Sequence, residues 1–173
     1  DGKTTSTTLI AEMLKAAGKT VHLGGNIGRA LLPVVEQIKP EDVAVVELSS
    51  FQLISMHTSP DVALVTNVTP NHLDHHKDMQ EYINAKRNIL LYQKPGSKAV
   101  LGYENDITRG MEQNVVGKRY WFTRKSKVDC GAYLEDNGDL CMIEDGVLTR
   151  VVNQSEVRLR GLADGTESRR DGQ

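Results

Sequence analysis

An α/β protein with a doubly wound, mostly parallel sheet is predicted by three observations. Apolar runs of strand length, Val43–Leu48 and Val62–Val68, alternate with segments of helical period. Both runs are continuous rather than alternating, as strands covered on both faces of a parallel sheet are. Gly2-Lys3-Thr4-Thr5 stands at the mouth of the first helical segment, as in sheets of the P-loop type.

The elements follow in order. Thr5–Ala17 carries Leu9, Ile10, Met13 and Leu14 on one side and stops at Gly18, which predicts a helix. Val21–Leu23 reads as a short strand and Gly24–Gly28 as a loop. Leu31–Ile38 reads as a helix closed by Pro40. After the two apolar strands, Asp78–Leu91 is a helix, Lys98–Leu101 a strand, Asp106–Gln113 a helix and Arg119–Phe122 a strand. Beyond Val128 the texture changes. Cys130–Leu134, Leu140–Ile143 and Val147–Val152 are separated by Asp136-Asn137-Gly138-Asp139 and Glu144-Asp145-Gly146, which are hairpin turn sequences. They predict a small antiparallel appendage on the edge of the main sheet. Leu162–Gln173 has no periodicity and reads as a disordered or non-native tail.

Composition narrows the class. The 173 residues are 39% hydrophobic and 25% charged, as in a soluble globular domain. A net charge of −2 gives no basic field for nucleic acid or an anionic membrane. No apolar run approaches the roughly 18 residues of a membrane span. Cys130 and Cys141 read as reduced thiols of a cytoplasmic protein rather than a disulfide framework.

Four signals carry chemistry. A helix N-terminus presents free N–H groups and partial positive charge, which suits phosphate. There Gly2 admits close approach, Lys3 reaches the terminal phosphates, and the Thr4 hydroxyl binds Mg²⁺, with Thr5 next in the helix; a plain helix start is the alternative. The upstream glycine and strand of a phosphate loop lie outside this sequence. Glu47 stands at the carboxyl end of an apolar strand, the edge where open α/β sheets bind ligands, and can hold the nucleotide's Mg²⁺ opposite Thr4 or be a solvated strand end. Asn71-His72-Leu73-Asp74-His75-His76 follows the next strand. It suits an Mg²⁺ or phosphate site using His72, surface histidines, or zinc, since His72 and His76 are four apart. Lys86 falls in a helix, where a lysine is usually a solvated face residue.

Gly-Lys-Thr-Thr, Gly-Gly-Asn-Ile-Gly, Glu-Leu-Ser-Ser-Phe-Gln-Leu, Asn-Val-Thr-Pro-Asn-His-Leu-Asp and Tyr-Ile-Asn-Ala-Lys occur here in one order. That order resembles the Mur ligase family, from Asp1 to about Gly161. The Gly24–Gly28 loop and Ser49–Leu53 look like the members that add D-glutamate. The resemblance implies the central ATP-binding domain, 1–161, truncated at both ends, of a monomeric cytoplasmic enzyme of peptidoglycan biosynthesis, hence of cell shape and division. It implies that ATP phosphorylates the carboxylate of UDP-N-acetylmuramoyl-L-alanine and that D-glutamate's amine attacks the acyl phosphate. Lys3, His72 and Lys86 are then catalytic. Mg²⁺ is held by Thr4 and Glu47, and a second by His72 and a carbamylated Lys86. Asn26, Ser49 and Gln52 match positions that handle the muramoyl substrate. Asn71 departs from the family's usual Asp, and after Gly161 the family's adenine-side segment gives way to Leu162-Ala163-Asp164. Another Mur ligase, a folylpolyglutamate synthetase-like ligase and an inert nucleotide-binding module are the alternatives; Ser49–Leu53 argues against the first two.

Overall fold

The computed structural model describes residues 2–28, 30–69 and 76–157. The tail from Leu162 lies outside them. Two compact units divide the chain, Asp1–Phe122 and Thr123–Gln173.

The first unit is built of βα elements. Helix α1, Lys3–Ala16, starts from Gly2 in the left-handed region (φ 78°) and packs on the first two strands. Its end follows from Gly18 (φ 79°): the Gly18 N–H donates to Lys15 O and the Lys19 N–H to Leu14 O, so the last carbonyls are satisfied. Strand β1, Val21–Gly25, pairs in parallel with β2, Val43–Glu47, in the register Val21↔Val43 to Gly25↔Glu47. Gly24 and Gly25 therefore belong to the strand, where the sequence reading has a loop.

Between β1 and β2 the predicted helix Leu31–Ile38 is a 3₁₀ segment, Leu32–Gln37. None of its residues is buried, so no packing stabilises a longer α-helix against its nucleation cost. Helix α2, Ser50–Ile54, is an element the sequence reading lacks. It is short, but Ser49 and Gln52 form a capping box and Leu53 anchors it at 2% exposure.

Strand β3 runs Val62–Val65, shorter than predicted. Thr66 passes so close to Gly102 that a side chain at 102 would meet its carbonyl at 2.2 Å, and the ladder stops there. Helix α3, Met79–Leu91, is capped by Asp78, whose side chain accepts from the Glu81 N–H, and buries Tyr82, Ala85 and Leu90. Strands β4, Lys98–Gly102, and β5, Lys118–Thr123, continue the parallel ladder from β3. The predicted helix Asp106–Gln113 divides into α4, Asp106–Gly110, and a 3₁₀ turn, Met111–Asn114. Gly110, a weak helix former, stands at the change.

Coverage on both faces was expected of the two apolar strands and is not found. Val45, Glu47, Ala63 and Val65 are buried, whereas Ala44, Val46 and Val62 are exposed.

The second unit is an antiparallel meander of β6, Gly131–Leu134, β7, Asp139–Glu144, and β8, Val147–Asn153. Asp145 (φ 51°) and Gly146 (φ 78°) make the two-residue turn between β7 and β8. No helix among the described residues is long and apolar enough to cross a membrane.

A candidate nucleotide and metal site at the end of β2

The first turn of α1 and the last residue of β2 meet. The Thr4 hydroxyl donates to Glu47 Oε2 at 2.8 Å. On the other side, the Asn26 backbone N–H donates to the Glu47 carbonyl at 2.8 Å and its side-chain amide to Glu47 Oε1 at 3.3 Å. Gly25 makes this approach feasible. A side chain there would meet the Glu47 carbonyl at 2.2 Å and Val46 Cγ1 at 2.8 Å. Glu47 is only 4% exposed and has no ion pair among the described residues. A carboxylate this far out of water is no solvated strand end. A carboxylate and a hydroxyl sharing one point offer the hard oxygen ligands that Mg²⁺ prefers.

Lys86 joins this group from α3. Burial, with help from the charge of Lys3, lowers its ammonium to about 8, while Glu47 acts in the opposite direction. Lys86 therefore feels the charges of both Lys3 and Glu47. Lys86 is no free face residue: its Nζ also lies 5.6 Å from the centre of the Tyr82 ring. Gly2 and Thr5 complete the sequence-predicted phosphate end, both exposed at the opening of α1.

Ser49 and Gln52 are brought together, but they face each other. The Ser49 N–H and Oγ both donate to Gln52 Oε1, at 2.8 and 2.9 Å, and Ser49 Oγ accepts from the Gln52 N–H. Their observed role is to cap α2. His72, with Asn71 and His75, lies outside the described residues, so the second-metal reading has no geometry here. Among the described residues no group of three metal-ligating side chains occurs.

His76 is the residue whose role sequence reasoning missed. It is 5% exposed, stacks on Phe51 at 5.1 Å and hydrogen-bonds Ser50 Oγ through Nε2 at 2.9 Å. Its Nδ1 lies 3.6 Å from Glu81 Oε2. A serine, histidine and carboxylate in line suggest a nucleophile relay, but Ser50 is 3% exposed and closed to substrate. His76 instead ties the start of α2 to the start of α3. The aromatics Phe51 and Tyr82, which flank its ring, were the signal available in the sequence.

A profile of the Mur ligase middle domain matches residues 1–146. The chain is 48% identical over 163 residues to UDP-N-acetylmuramoylalanine–D-glutamate ligase of Acetivibrio thermocellus, covering 94% of this chain and 34% of that protein. The same enzyme of Clostridium tetani is 49% identical over 162 residues, with the same coverage. The chain thus spans about a third of the length of these relatives. Among solved structures, a pseudomurein peptide ligase type C from Methanothermus fervidus superposes with a TM-score of 0.60 at 16% identity, covering 87% of this chain and 40% of that one. A UDP-N-acetylmuramate:L-alanyl-γ-D-glutamyl-meso-diaminopimelate ligase of Neisseria meningitides gives 0.59 at 15% identity, covering 86% and 51%. These structures share the fold. With the matching profile and relatives at nearly half identity, they lead to one assignment: the chain belongs to the Mur ligase family and carries its middle domain.

Proposed function

We propose that this domain binds ATP and Mg²⁺ within a ligase that joins D-glutamate to UDP-N-acetylmuramoyl-L-alanine in the cytoplasm. The observation that carries the reading is the buried Glu47 carboxylate, held between Thr4 and Asn26 at the open end of α1. A carboxylate attacking a γ-phosphate brings two anions together, so the site must supply positive charge. Lys3 supplies it from the protein. Glu47 and Thr4 are the residues that would hold Mg²⁺, which neutralises phosphate charge when bound. The free N–H groups at the opening of α1 suit phosphate. Asn26, through its bond to Glu47, orients that carboxylate, and it also matches a substrate position of the family.

Lys86 has a second state. With its ammonium lowered to about 8, roughly one molecule in ten carries the neutral amine at pH 7. That amine adds to CO₂, forming an N–C bond and releasing one proton, and the side chain becomes an anion. In that form Lys86 would serve, as the resemblance implies for it and His72, to hold a second Mg²⁺, which would supply positive charge to the acyl phosphate. Ser49 and Gln52, bonded to each other at the start of α2, match positions that handle the muramoyl substrate in the family.

Phosphate release by the complete protein tests the reading. It is expected only when ATP, Mg²⁺, UDP-N-acetylmuramoyl-L-alanine and D-glutamate are all present. Release that is indifferent to D-glutamate, or that requires a different amino acid, overturns it. The 173-residue chain alone is expected to form no amide, because both reacting groups must be held roughly 3–3.5 Å apart and it spans a third of its relatives.

A further inference from the structure

Two helices adjoin the site, and one side chain touches both. Helix α2 begins at Ser50, shortly after Glu47 ends β2, and α3 carries Lys86. His76, just ahead of α3, is 5% exposed and lies between them. On the α2 side its Nε2 shares a hydrogen bond of 2.9 Å with Ser50 Oγ, and its ring stacks on Phe51 at 5.1 Å with the planes 10° apart. On the α3 side its Nδ1 stands 3.6 Å from Glu81 Oε2, and that carboxylate accepts from the Lys77 N–H at 2.7 Å. The Tyr82 ring is 5.2 Å from the imidazole. Lys86, one turn further along α3, places its Nζ 5.6 Å from the centre of the same ring.

Buried polar groups are hydrogen-bonded, and a bonded histidine in a core needs no further role. Two features set this one apart. The far end of α2 has a tie of its own, where Asn88 Nδ2 of α3 donates to the Leu53 carbonyl at 2.8 Å. His76 grips the opposite end, the one that runs back into Glu47. The rings also connect His76 to Lys86 through Tyr82, so its contacts reach toward both arms of the site. Those arms are close enough for Lys86 to feel the charge of Glu47.

We propose that His76 is a positioning residue of this site: by fixing the start of α2 against the start of α3, it sets the spacing of Glu47 from Lys86. This role rests on the reading of Glu47 as an Mg²⁺ ligand. Mg²⁺ demands near-ideal octahedral geometry, with ligands at about 2.0–2.1 Å. Its carboxylates therefore tolerate little drift, and groups that orient a metal's ligands from behind matter nearly as much as the ligands. Thr4 and Asn26 hold the Glu47 side chain from the front. Ser50, bonded to His76, holds the chain just behind it. Without that bond the end of β2 follows the movements of α2, and Tyr82 loses the imidazole that packs beside it. His76 acts through Ser50 and Tyr82, not on the reacting atoms.

Metal binding by the complete protein tests the proposal. His76→Phe keeps a ring between Phe51 and Tyr82 but removes the bond to Ser50. Ser50→Ala removes the same bond from the other side. Asn88→Ala unties the far end of α2 and serves as the structural control. Mn²⁺, standing in for Mg²⁺, is titrated into protein carrying ADP and followed by electron paramagnetic resonance, with kcat and the KM for ATP measured alongside. His76→Phe and Ser50→Ala are each expected to weaken Mn²⁺ binding about tenfold and to lower kcat with little change in KM. Asn88→Ala is expected to lower the unfolding midpoint while Mn²⁺ binding holds. Wild-type Mn²⁺ binding in His76→Phe makes His76 a packing residue and overturns the proposal. So does equal weakening in Asn88→Ala, since any loosening of α2 then suffices. Should His76→Phe fail to fold, Ser50→Ala decides by the same reading. Glu47→Gln tells the two failures apart. If it weakens Mn²⁺ binding and His76→Phe does not, the proposal alone falls; if it leaves binding unmoved, the metal reading of Glu47 falls and the positioning role with it.

Discussion

Charge is handled in opposite ways at the end of β2 and in the hairpin unit. In the hairpin unit every member of the cluster has a counterpart. Arg150 reaches Asp139 at 2.8 Å and Glu156 at 2.7 Å, and Asn153 donates to Asp139. The Asn153 amide, and then Arg150, hold the Asp139 carboxyl below its ordinary range. Arg150 and Glu156 are exposed, Asp139 is half-buried, and the charges are matched within the group. At the end of β2, Glu47 is buried with no ion pair among the described residues, while Lys86 is pushed toward neutrality by burial and by Lys3, against the pull of Glu47. Matched charge stabilises a turn locally. Mismatched charge beside a helix N-terminus waits for something to complete it.

Substitutions can break this contrast, beginning with the largest effect. Lys3→Ala in the complete protein is expected to lower turnover about 10²-fold or more, since its charge counts most as phosphoryl transfer proceeds. Unchanged substrate-dependent phosphate release would falsify the role of Lys3. Lys86→Ala is expected to lose most of the turnover, with short carboxylic acids partly restoring it because they replace an anion. Removing bicarbonate from the wild-type enzyme is expected to mimic the loss. Full activity of Lys86→Ala sinks the carbamate.

Stability against pH sharpens the comparison without any assay of catalysis. The folded Lys86 ammonium titrates at about 8 and the ordinary one at 10.5, so between these values the unfolded chain binds more protons. Its contribution to stability therefore rises as pH climbs from about 8 to about 10.5, and is at its most unfavourable below 8. Denaturant midpoints of wild type and Lys86→Met across that window are expected to diverge, the wild type gaining more. Parallel curves mean that Lys86 is solvated after all.

Ser49→Ala separates capping from binding. Loss of the cap is expected to cost about 1 kcal/mol of stability. A KM for the muramoyl substrate that also rises supports the substrate role; a KM that stays fixed leaves Ser49 as a cap only. The smallest effect is expected at Arg150→Ala. Exposed ion pairs contribute little, so turnover holds and the unfolding midpoint moves slightly. A large loss of turnover there removes the distinction between the two clusters.

How much of this was legible beforehand differs from residue to residue. The order of strands and helices could be read because apolar runs and turn residues are local signals. Glu47 could be placed at a strand end for the same reason. Its burial could not, because that depends on Thr4 and Asn26 arriving from distant parts of the chain. Lys86 looked like any helical lysine, since nothing near it in sequence announces Lys3 or Glu47. α2 escaped notice because a five-residue helix has no period to detect, although its Ser49–Gln52 capping pair was in plain view. The 3₁₀ segment at Leu32–Gln37 went the other way: its apolar residues mimic a helix, and the absence of anything to pack against is a tertiary fact.

The strand registers also set a timetable for folding. Val21 meets Val43, and Val62 meets Lys98, each across a long excursion of chain. Glu144 meets Val147 across a single turn. Closing a long loop costs more entropy before any contact repays it, and proteins rich in distant contacts fold more slowly. The hairpins of the second unit are therefore expected to gain protected amides early in refolding. β1–β2 and β3–β4, and with them the meeting of Thr4 and Glu47, come later, so the residues read here as the site are among the last to find one another.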